Sequence, residues 1–241
     1  MCGIFGIFSS GLSEAELRKE LVSCSSRLRH RGPDWSGYKV LQESDTVFHG
    51  LAHERLAIMD PDSGEQPLSD GKVLVAANGE IYNYKELYQG LGFEYKPQTG
   101  SDCEVLLPLY QKHGVHMCEH LRGMFCFLLY DTEKQTYMAA RDHIGITPLY
   151  IGWSKTDGSV YIASELKALV DRCSKFQNFP PGHYYYQGQF VRWYKPNWAP
   201  ELKPGLPLPK NPYQAVCCFG LFDQRVSLSH TVSTGRSPPR L

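Results

Sequence analysis

Short apolar runs of strand length recur along most of this chain, and they constrain its fold more than any other feature. The first run, residues 3–8, is closed by Ser-Ser-Gly and predicts a buried strand. Similar runs predict strands at 46–52, 55–59, 72–77, 124–130, 136–141, 148–153 and 160–163, and a hairpin pair within 178–195. Helical patterns are fewer: 13–29 with Ser13 as its cap, 83–91, 101–113, 115–121 and a short one at 164–170. This succession predicts an α+β layered domain over residues 2–195.

The last part of the chain has a different character. Residues 196–214 are rich in Pro, Asn and Lys and predict an irregular linker. Residues 215–241 sustain neither a helical nor a strand period, which predicts a disordered tail unrelated to the first domain.

Charge and apolar patterning exclude several classes of protein. The 25 basic and 25 acidic residues balance to a net charge of zero, so the chain lacks the basic footprint of a nucleic-acid binder. No apolar run approaches the roughly 18 residues that a membrane helix needs, and the N-terminus lacks a secretory leader. The eight cysteines form no C-x-x-C pair, which predicts reduced thiols, no metal site and a cytoplasmic protein.

Cys2 is the most unusual candidate for chemistry. Methionine aminopeptidases remove Met1 before a small residue, and removal leaves Cys2 with a free α-amine. Such an amine has a pKa of about 7.7–8 and can act as a general base near neutral pH. A thiol is a good nucleophile when a base lies beside it, so one residue can supply both groups. The alternative is an ordinary buried cysteine on the first strand.

Three further segments offer groups suited to an amide substrate. Arg55 could bind a carboxylate through two parallel hydrogen bonds, or be an arginine at the surface or in a hydrogen-bond network. Asn78 and Gly79 could form an oxyanion hole, although Asn-Gly is also a common hairpin turn. Asp102 could hold an ammonium group, or it could cap the helix that follows. His30 could pair with Cys2, but an α-amine makes a histidine base unnecessary.

Together these segments resemble the class II glutamine amidotransferases of the N-terminal nucleophile hydrolase superfamily. The resemblance covers about residues 2–214. Within that superfamily, the motif sequences are most similar to those in the glutaminase half of asparagine synthetases. The motifs that carry it occur at 1–4 (MCGI), 30–34 (HRGPD), 53–58 (HERLAI), 78–83 (NGEIYN), 100–102 (GSD), 123–125 (GMF), 141–145 (RDHIG), 148–150 (PLY), 164–169 (SELKAL) and 181–182 (PG). The resemblance implies a four-layer αββα sandwich.

It also implies a role for each candidate residue. Cys2 would attack the side-chain amide of glutamine, and Asn78 with the N–H of Gly79 would stabilise the oxyanion. The glutamine-binding residues would be Arg55, Leu56, Ala57, Ile58, Met59, Asn78, Gly79, Glu80 and Asp102. Glutamine would be hydrolysed through a Cys2 thioester to glutamate and ammonia.

The resemblance does not extend to a synthetase domain. A Ser-Gly-Gly-x-Asp-Ser pyrophosphate loop is absent, so ATP, Mg and aspartate are expected only in the synthetase domain of a full-length parent, and this chain needs no cofactor. A homodimer remains open. Two alternatives also stay open: the glutaminase half of another class II amidotransferase, and a catalytically inert regulatory fragment.

Overall fold

Two six-stranded antiparallel sheets form the centre of the protein. The computed structural model describes residues 1–58, 60 and 63–196. The strands are β1 (Gly3–Ser10), β2 (Trp35–Ser44), β3 (Val47–Arg55), β4 (Leu68–Ser69), β5 (Val73–Ile81), β6 (Gly123–Asp131), β7 (Thr136–Arg141), β8 (Tyr150–Ser154), β9 (Val160–Ala163), β10 (Cys173–Asn178), β11 (His183–Tyr186) and β12 (Gln189–Arg192). The first sheet has the order β10-β8-β9-β1-β3-β2, and the second has the order β12-β11-β7-β6-β5-β4.

Three helices flank the sheets: α1 (Glu14–Ser25), α2 (Tyr84–Gln89) and α3 (Leu106–His113). Short 3₁₀ helices cover Ser26–Leu28, Asp102–Val105, Gly114–His120 and Leu166–Ala168. Helix α1 begins at a capping box, in which the Ser13 side chain accepts from the backbone N–H of Glu16 and the Glu16 carboxylate accepts from Ser13. No helix within the described residues has the length and apolar character that crossing a membrane requires.

The core of the described residues consists of three apolar clusters. Ile4 and Phe8 of β1 pack between the sheets against Leu128 of β6. Phe5 and Ile7 point to the opposite face of β1 and pack with α1. A third cluster joins the second sheet to α3. The layers therefore run helix, sheet, sheet, helix, and the predicted αββα sandwich is confirmed.

The structure also corrects several local predictions. One strand, β3, replaces the runs predicted at 46–52 and 55–59, and residues 56–58 are irregular. The edge strands β2, β4 and β10 were not predicted. The alternative of a hairpin turn at Asn78-Gly79 is wrong, because both residues lie inside β5, opposite Cys126 and Phe125. Apart from residue 196, the predicted linker and tail lie outside the described residues, and the domain boundary at 195 stays a prediction.

Candidate active site

Cys2 lies immediately before β1 and is half-buried. Its neighbour Gly3 pairs with Glu54 near the end of β3, which brings the thiol to the segment that follows β3. There the backbone N–H of Leu56 donates to Cys2 Sγ over 3.3 Å, and Sγ lies 3.6 Å from the Leu56 carbonyl oxygen. The sulfur is therefore held against a backbone N–H that can stabilise negative charge on it.

Lateral contacts fix the backbone around Cys2. Arg31 Nε donates to the carbonyl oxygen of Cys2 over 2.9 Å. Ile4 and Ser164 exchange two hydrogen bonds, one from Ile4 N to Ser164 Oγ and one from Ser164 N to the Ile4 carbonyl, each 3.0 Å long. These contacts hold the backbone at Cys2 and at the start of β1 in place.

Glu165 anchors the arginine that holds Cys2. Its carboxylate lies 3.0 Å from Arg31 Nη1 and also contacts His30 and Lys167. Burial opposes the charged form, but hydrogen bonds from Arg31, Lys167 and His30 outweigh it and lower the pKa of Glu165 to about 2. His30 thus binds Glu165, and it is not among the residues that line the cavity containing Cys2.

The 30–34 segment lies directly on the end of β3. A Cβ at Gly32 would come within 2.1 Å of the Glu54 carbonyl oxygen, so only glycine permits this approach. Asp34 N donates to the Arg55 carbonyl over 3.0 Å, and Asp34 Oδ2 accepts from Ala57 N over 2.8 Å. This motif therefore holds the irregular segment whose Leu56 contacts the Cys2 sulfur.

A cavity of about 70 Å³ contains most of the candidate residues. Those that line it are Cys2, Arg55, Leu56, Ile58, Asn78, Gly79, Glu80 and Asp102. Ala57 is not among the lining residues, since its N–H is directed to Asp34, and Met59 lies outside the described residues. Met1 also lines the cavity, so an unprocessed chain places its first side chain beside the thiol.

Asn78 and Gly79 occupy the wall of this cavity on β5. Asn78 is 1% exposed, and neither Oδ1 nor Nδ2 has a hydrogen-bond partner among the described residues. A buried carboxamide normally has partners, so these atoms are suited to a ligand. Gly79 has φ +143°, and a Cβ there would lie 2.0 Å from the Met124 carbonyl oxygen. Only glycine therefore fits at this point of the strand.

Arg55 is buried at the end of β3, and its Nη2 donates to the carbonyl oxygen of Asp60. Asp60 also accepts from Gly100 N over 2.7 Å and from the Ser63 hydroxyl. The hydrogen bond from Ser63, followed by that from Gly100, lowers the pKa of Asp60. Asp60 thus ties the loop after β3 to the segment that leads into Asp102.

Asp102 acts on β5 rather than as a helix cap. Its Oδ2 accepts from the backbone N–H of Ile81 over 2.6 Å, and Ser101, at the cap position, makes no side-chain cap hydrogen bond. Burial raises the pKa of Asp102. Glu80 lies opposite Met124 of β6 and faces the same cavity. Both carboxylates can meet a cationic group there.

Sequence reasoning missed four polar residues around the cavity: His53, Asp60, Gln66 and Glu104. His53 and Gln66 line it directly. Glu104 is buried and accepts from Gln98 N and Thr99 N, 2.7 Å each, and so shapes the loop before Asp102. The turn residues around Asp60 were a usable signal, and His53 opens the 53–58 motif, whereas nothing local marks Gln66 or Glu104.

The remaining described cysteines differ from Cys2 in their surroundings. All five are buried and free: Cys24, Cys103, Cys118, Cys126 and Cys173. Burial raises the pKa of Cys126 and of Cys173 to about 11, so these thiols stay protonated and unreactive. Within the described ranges, no group of three or more His, Cys, Asp or Glu side chains is arranged to hold a metal ion.

Known proteins resemble the chain in sequence and in fold. It is 47% identical over 230 residues to asparagine synthetase (glutamine-hydrolyzing) 3 of Arabidopsis thaliana. The aligned region covers 94% of this chain and 38% of that protein. The corresponding enzyme of Sandersonia aurantiaca is 48% identical over 215 residues, covering 86% of this chain and 39% of that protein. The chain thus spans well under half the length of these curated relatives.

Solved structures share the fold. Glutamine phosphoribosylpyrophosphate amidotransferase from B. subtilis superimposes with a TM-score of 0.64 at 21% identity, covering 80% of this chain and 49% of that chain. At that identity the likeness establishes the sandwich alone. The family model described as "Glutamine amidotransferase domain" matches residues 1–187. This match includes Cys2, Arg55, Asn78 and Asp102, and the chain belongs to the class II glutamine amidotransferase family.

Proposed function

We propose that this chain hydrolyses glutamine to glutamate and ammonia through a thioester on Cys2. The observation that carries the proposal is the placement of two groups in one cavity. The thiol of Cys2 shares it with the buried carboxamide of Asn78, whose polar atoms have no partner among the described residues. A nucleophile beside unused hydrogen-bond donors is the arrangement that acyl transfer requires.

In the first half of the reaction, the freed α-amine of Cys2 accepts the thiol proton. The sulfur then attacks the side-chain carbonyl carbon of glutamine, and the carbonyl oxygen becomes negatively charged. Asn78 Nδ2 and the N–H of Gly79 donate to that oxygen. When the carbonyl re-forms, the C–N bond breaks, and the α-amine returns its proton to the departing ammonia.

In the second half, water attacks the thioester carbon while the α-amine accepts a proton from it. The C–S bond then breaks, and the amine returns the proton to the Cys2 sulfur as glutamate forms. The same two donors stabilise the second oxyanion. Arg55 would bind the α-carboxylate of glutamine, and Asp102 with Glu80 would accept from its α-ammonium. The support for these roles is that one cationic and two anionic side chains line the same cavity as the thiol.

We further propose that the ammonia serves ATP-dependent synthesis of asparagine from aspartate in a longer protein. The support is that the relatives described above are named as glutamine-hydrolysing asparagine synthetases. ATP, Mg and aspartate would act outside this chain. A cytoplasmic location and a homodimer remain predictions.

The test is the intact mass of the purified chain before and after treatment with diazo-oxo-norleucine, a glutamine-like electrophile. Loss of Met1 and gain of one adduct are expected, and Cys2→Ala should abolish the adduct. Cys103→Ala is the matched control, because Cys103 lines the same cavity and is buried. That variant should still form the adduct.

Three results would count against the proposal. A folded, processed chain that forms no adduct lacks a working nucleophile. A chain that retains Met1 favours the inert fragment instead, because Met1 lines the cavity and its presence on Cys2 removes the free α-amine. Labelling that persists in Cys2→Ala would assign the chemistry to another residue.

A further inference from the structure

The backbone of Ala77, immediately before Asn78, is bound on both of its polar groups by side chains. Gln66 Oε1 accepts from Ala77 N over 2.7 Å, and His53 Nε2 lies 3.0 Å from the Ala77 carbonyl oxygen. Both side chains are buried and both line the cavity that contains Cys2. Two polar side chains are therefore committed to one peptide segment beside the catalytic groups.

Side chains take this role because the neighbouring strand is too short. β4 pairs Leu68 with Val75 and Ser69 with Leu74 and then ends. Continuing that register would place residue 66 opposite Ala77, but β4 ends at Leu68, next to Pro67, which has no N–H to give to a ladder. Beyond that end, Gln66 Oε1 rather than a strand carbonyl oxygen accepts from Ala77 N, since a buried N–H needs a partner.

His53 connects the two sheets. It lies on β3, opposite Ile4 of β1, while Ala77 lies on β5 of the second sheet. Burial lowers the pKa of His53 to about 4, so the ring is neutral near pH 7. Because a carbonyl oxygen only accepts, Nε2 carries the proton and donates to Ala77. The bond links the sheet that carries Cys2 to the strand that carries Asn78.

The Asn78 side chain depends on this support. Its carboxamide makes no hydrogen bond within the described part of the chain, so the direction in which the carboxamide points is set by the position of the Asn78 backbone. Gly79 on the other side has a glycine-specific conformation and adds no side chain to hold it. The Ala77 peptide is thus the adjoining point where side chains can fix the direction of the Asn78 amide.

We propose that His53 and Gln66 are positioning residues that hold the Ala77 peptide and thereby aim the Asn78 carboxamide at the oxyanion formed at Cys2. The inference rests on the proposed function, in which Asn78 stabilises that oxyanion. Each acts on the reaction through the Ala77 peptide, to which its side chain is hydrogen-bonded. Their loss should therefore lower kcat while KM changes little, since the oxyanion exists only during the reaction.

The experiment is a set of double-mutant cycles on the full chain, with glutamate release as the assay. His53→Leu removes the donor and Gln66→Met removes the acceptor at nearly constant volume. A displacement on the order of 1 Å costs up to about 100-fold, so each variant should lose roughly 10- to 100-fold in kcat. In an Asn78→Ala background, the same changes should have almost no further effect.

Conservative variants separate positioning from packing. His53→Gln places a donor near the position of Nε2, and Gln66→Glu keeps an acceptor, so each should recover part of the lost kcat. The matched control is His49→Leu, which removes another buried histidine of β3. His49 binds Glu43 and does not line the cavity. That variant should lose stability and keep its kcat.

Amide hydrogen exchange at Ala77 gives a readout that needs no turnover. Exchange should be faster in Gln66→Met than in the wild type, while Val75 in the same strand should be unchanged. Wild-type chain without glutaminase activity would refute the proposed function, and the exchange result would still decide on the positioning pair. Losses in kcat that add to that of Asn78→Ala, or unchanged Ala77 exchange, would overturn the inference.

Discussion

Replacing Gly79 with alanine should damage both the stability and the chemistry of this protein. A Cβ at this position would lie 2.0 Å from the Met124 carbonyl oxygen and 2.6 Å from Phe125 Cα. Both are backbone atoms of the paired strand β6, so no side-chain rotation can relieve the contact. Gly79 also has φ +143°, which side chains rarely adopt. The strands must therefore separate locally.

The expected size follows from these contacts. Ordinary contact begins at 3.4 Å, so the methyl group and the Met124 oxygen must move apart by about 1.4 Å. The unusual backbone conformation alone costs about 1–3 kcal/mol for a residue other than glycine. Displacing Asn78 and the Gly79 N–H by about 1 Å should lower kcat on the order of 100-fold.

Gly71→Ala is the matched control for this prediction. Gly71 has φ +94°, but nothing lies within 4 Å of the position that its Cβ would occupy. It should therefore lose about 1–3 kcal/mol of stability from backbone strain and keep its kcat. Urea denaturation measures the free energy of unfolding of both variants, and glutamate release measures kcat at a temperature where both are folded.

One result would refute this reasoning. If Gly79→Ala loses no more stability than Gly71→Ala and keeps its kcat, the 2.0 Å contact does not constrain the strand pair. A loss of stability with normal kcat would show instead that the Asn78 and Gly79 donors do not sit at the reacting carbonyl.

Three further outcomes are expected. Asn78→Ala should lower kcat by about 100- to 1000-fold with a smaller change in KM, because one oxyanion donor is lost; equal kcat would contradict this. Glu165→Gln should have a lower free energy of unfolding than the wild type at pH 7. In urea titrations, this difference in free energy should shrink as the pH falls from 4.5 towards about 2, because the wild-type carboxylate becomes protonated there. For His53, the unfolded chain binds a proton below pH 6.5 and the folded chain only near pH 4. Wild-type stability should therefore fall across that window more than that of His53→Gln, and parallel pH curves would refute it.

Local patterns predicted the elements whose cause is local. Ser13 and Glu16 begin α1 through contacts three residues apart, and the capping pattern is visible in the sequence. The apolar run of β1 is continuous because both of its faces are buried, one between the sheets and one against α1. Such elements can be predicted because their determinants lie within a few residues of one another.

The Asn78-Gly79 pair shows where local reasoning fails. Asn-Gly favours a hairpin turn when only neighbouring residues are considered. In the structure, pairing with Cys126 and Phe125 of β6 keeps both residues in a strand. The glycine is needed for its close approach to β6 rather than for a turn. A partner strand more than forty residues away is invisible to a propensity.

The candidate site was found through the order of its motifs, not through its geometry. Cys2, Arg55, Asn78 and Asp102 are far apart in sequence, and sheet pairing brings them to one cavity. His53, Gln66 and Glu104 were missed for a related reason. Each binds the backbone N–H or C=O of another segment, and the residues around it do not indicate which backbone group that is.

The proposed role of Cys2 as nucleophile explains why so much of this site consists of supporting contacts. Attack on a carbonyl carbon requires the sulfur to be held in a defined position. β1 pairing, Arg31 at the Cys2 carbonyl and Ser164 at Ile4 restrain the backbone that carries it. The proposed oxyanion donors, Asn78 and Gly79, lie on the second sheet, and neither sheet alone fixes their distance from the sulfur. Under the proposed function, contacts that cross between the sheets, such as that of His53 with Ala77, therefore set the geometry of the reaction.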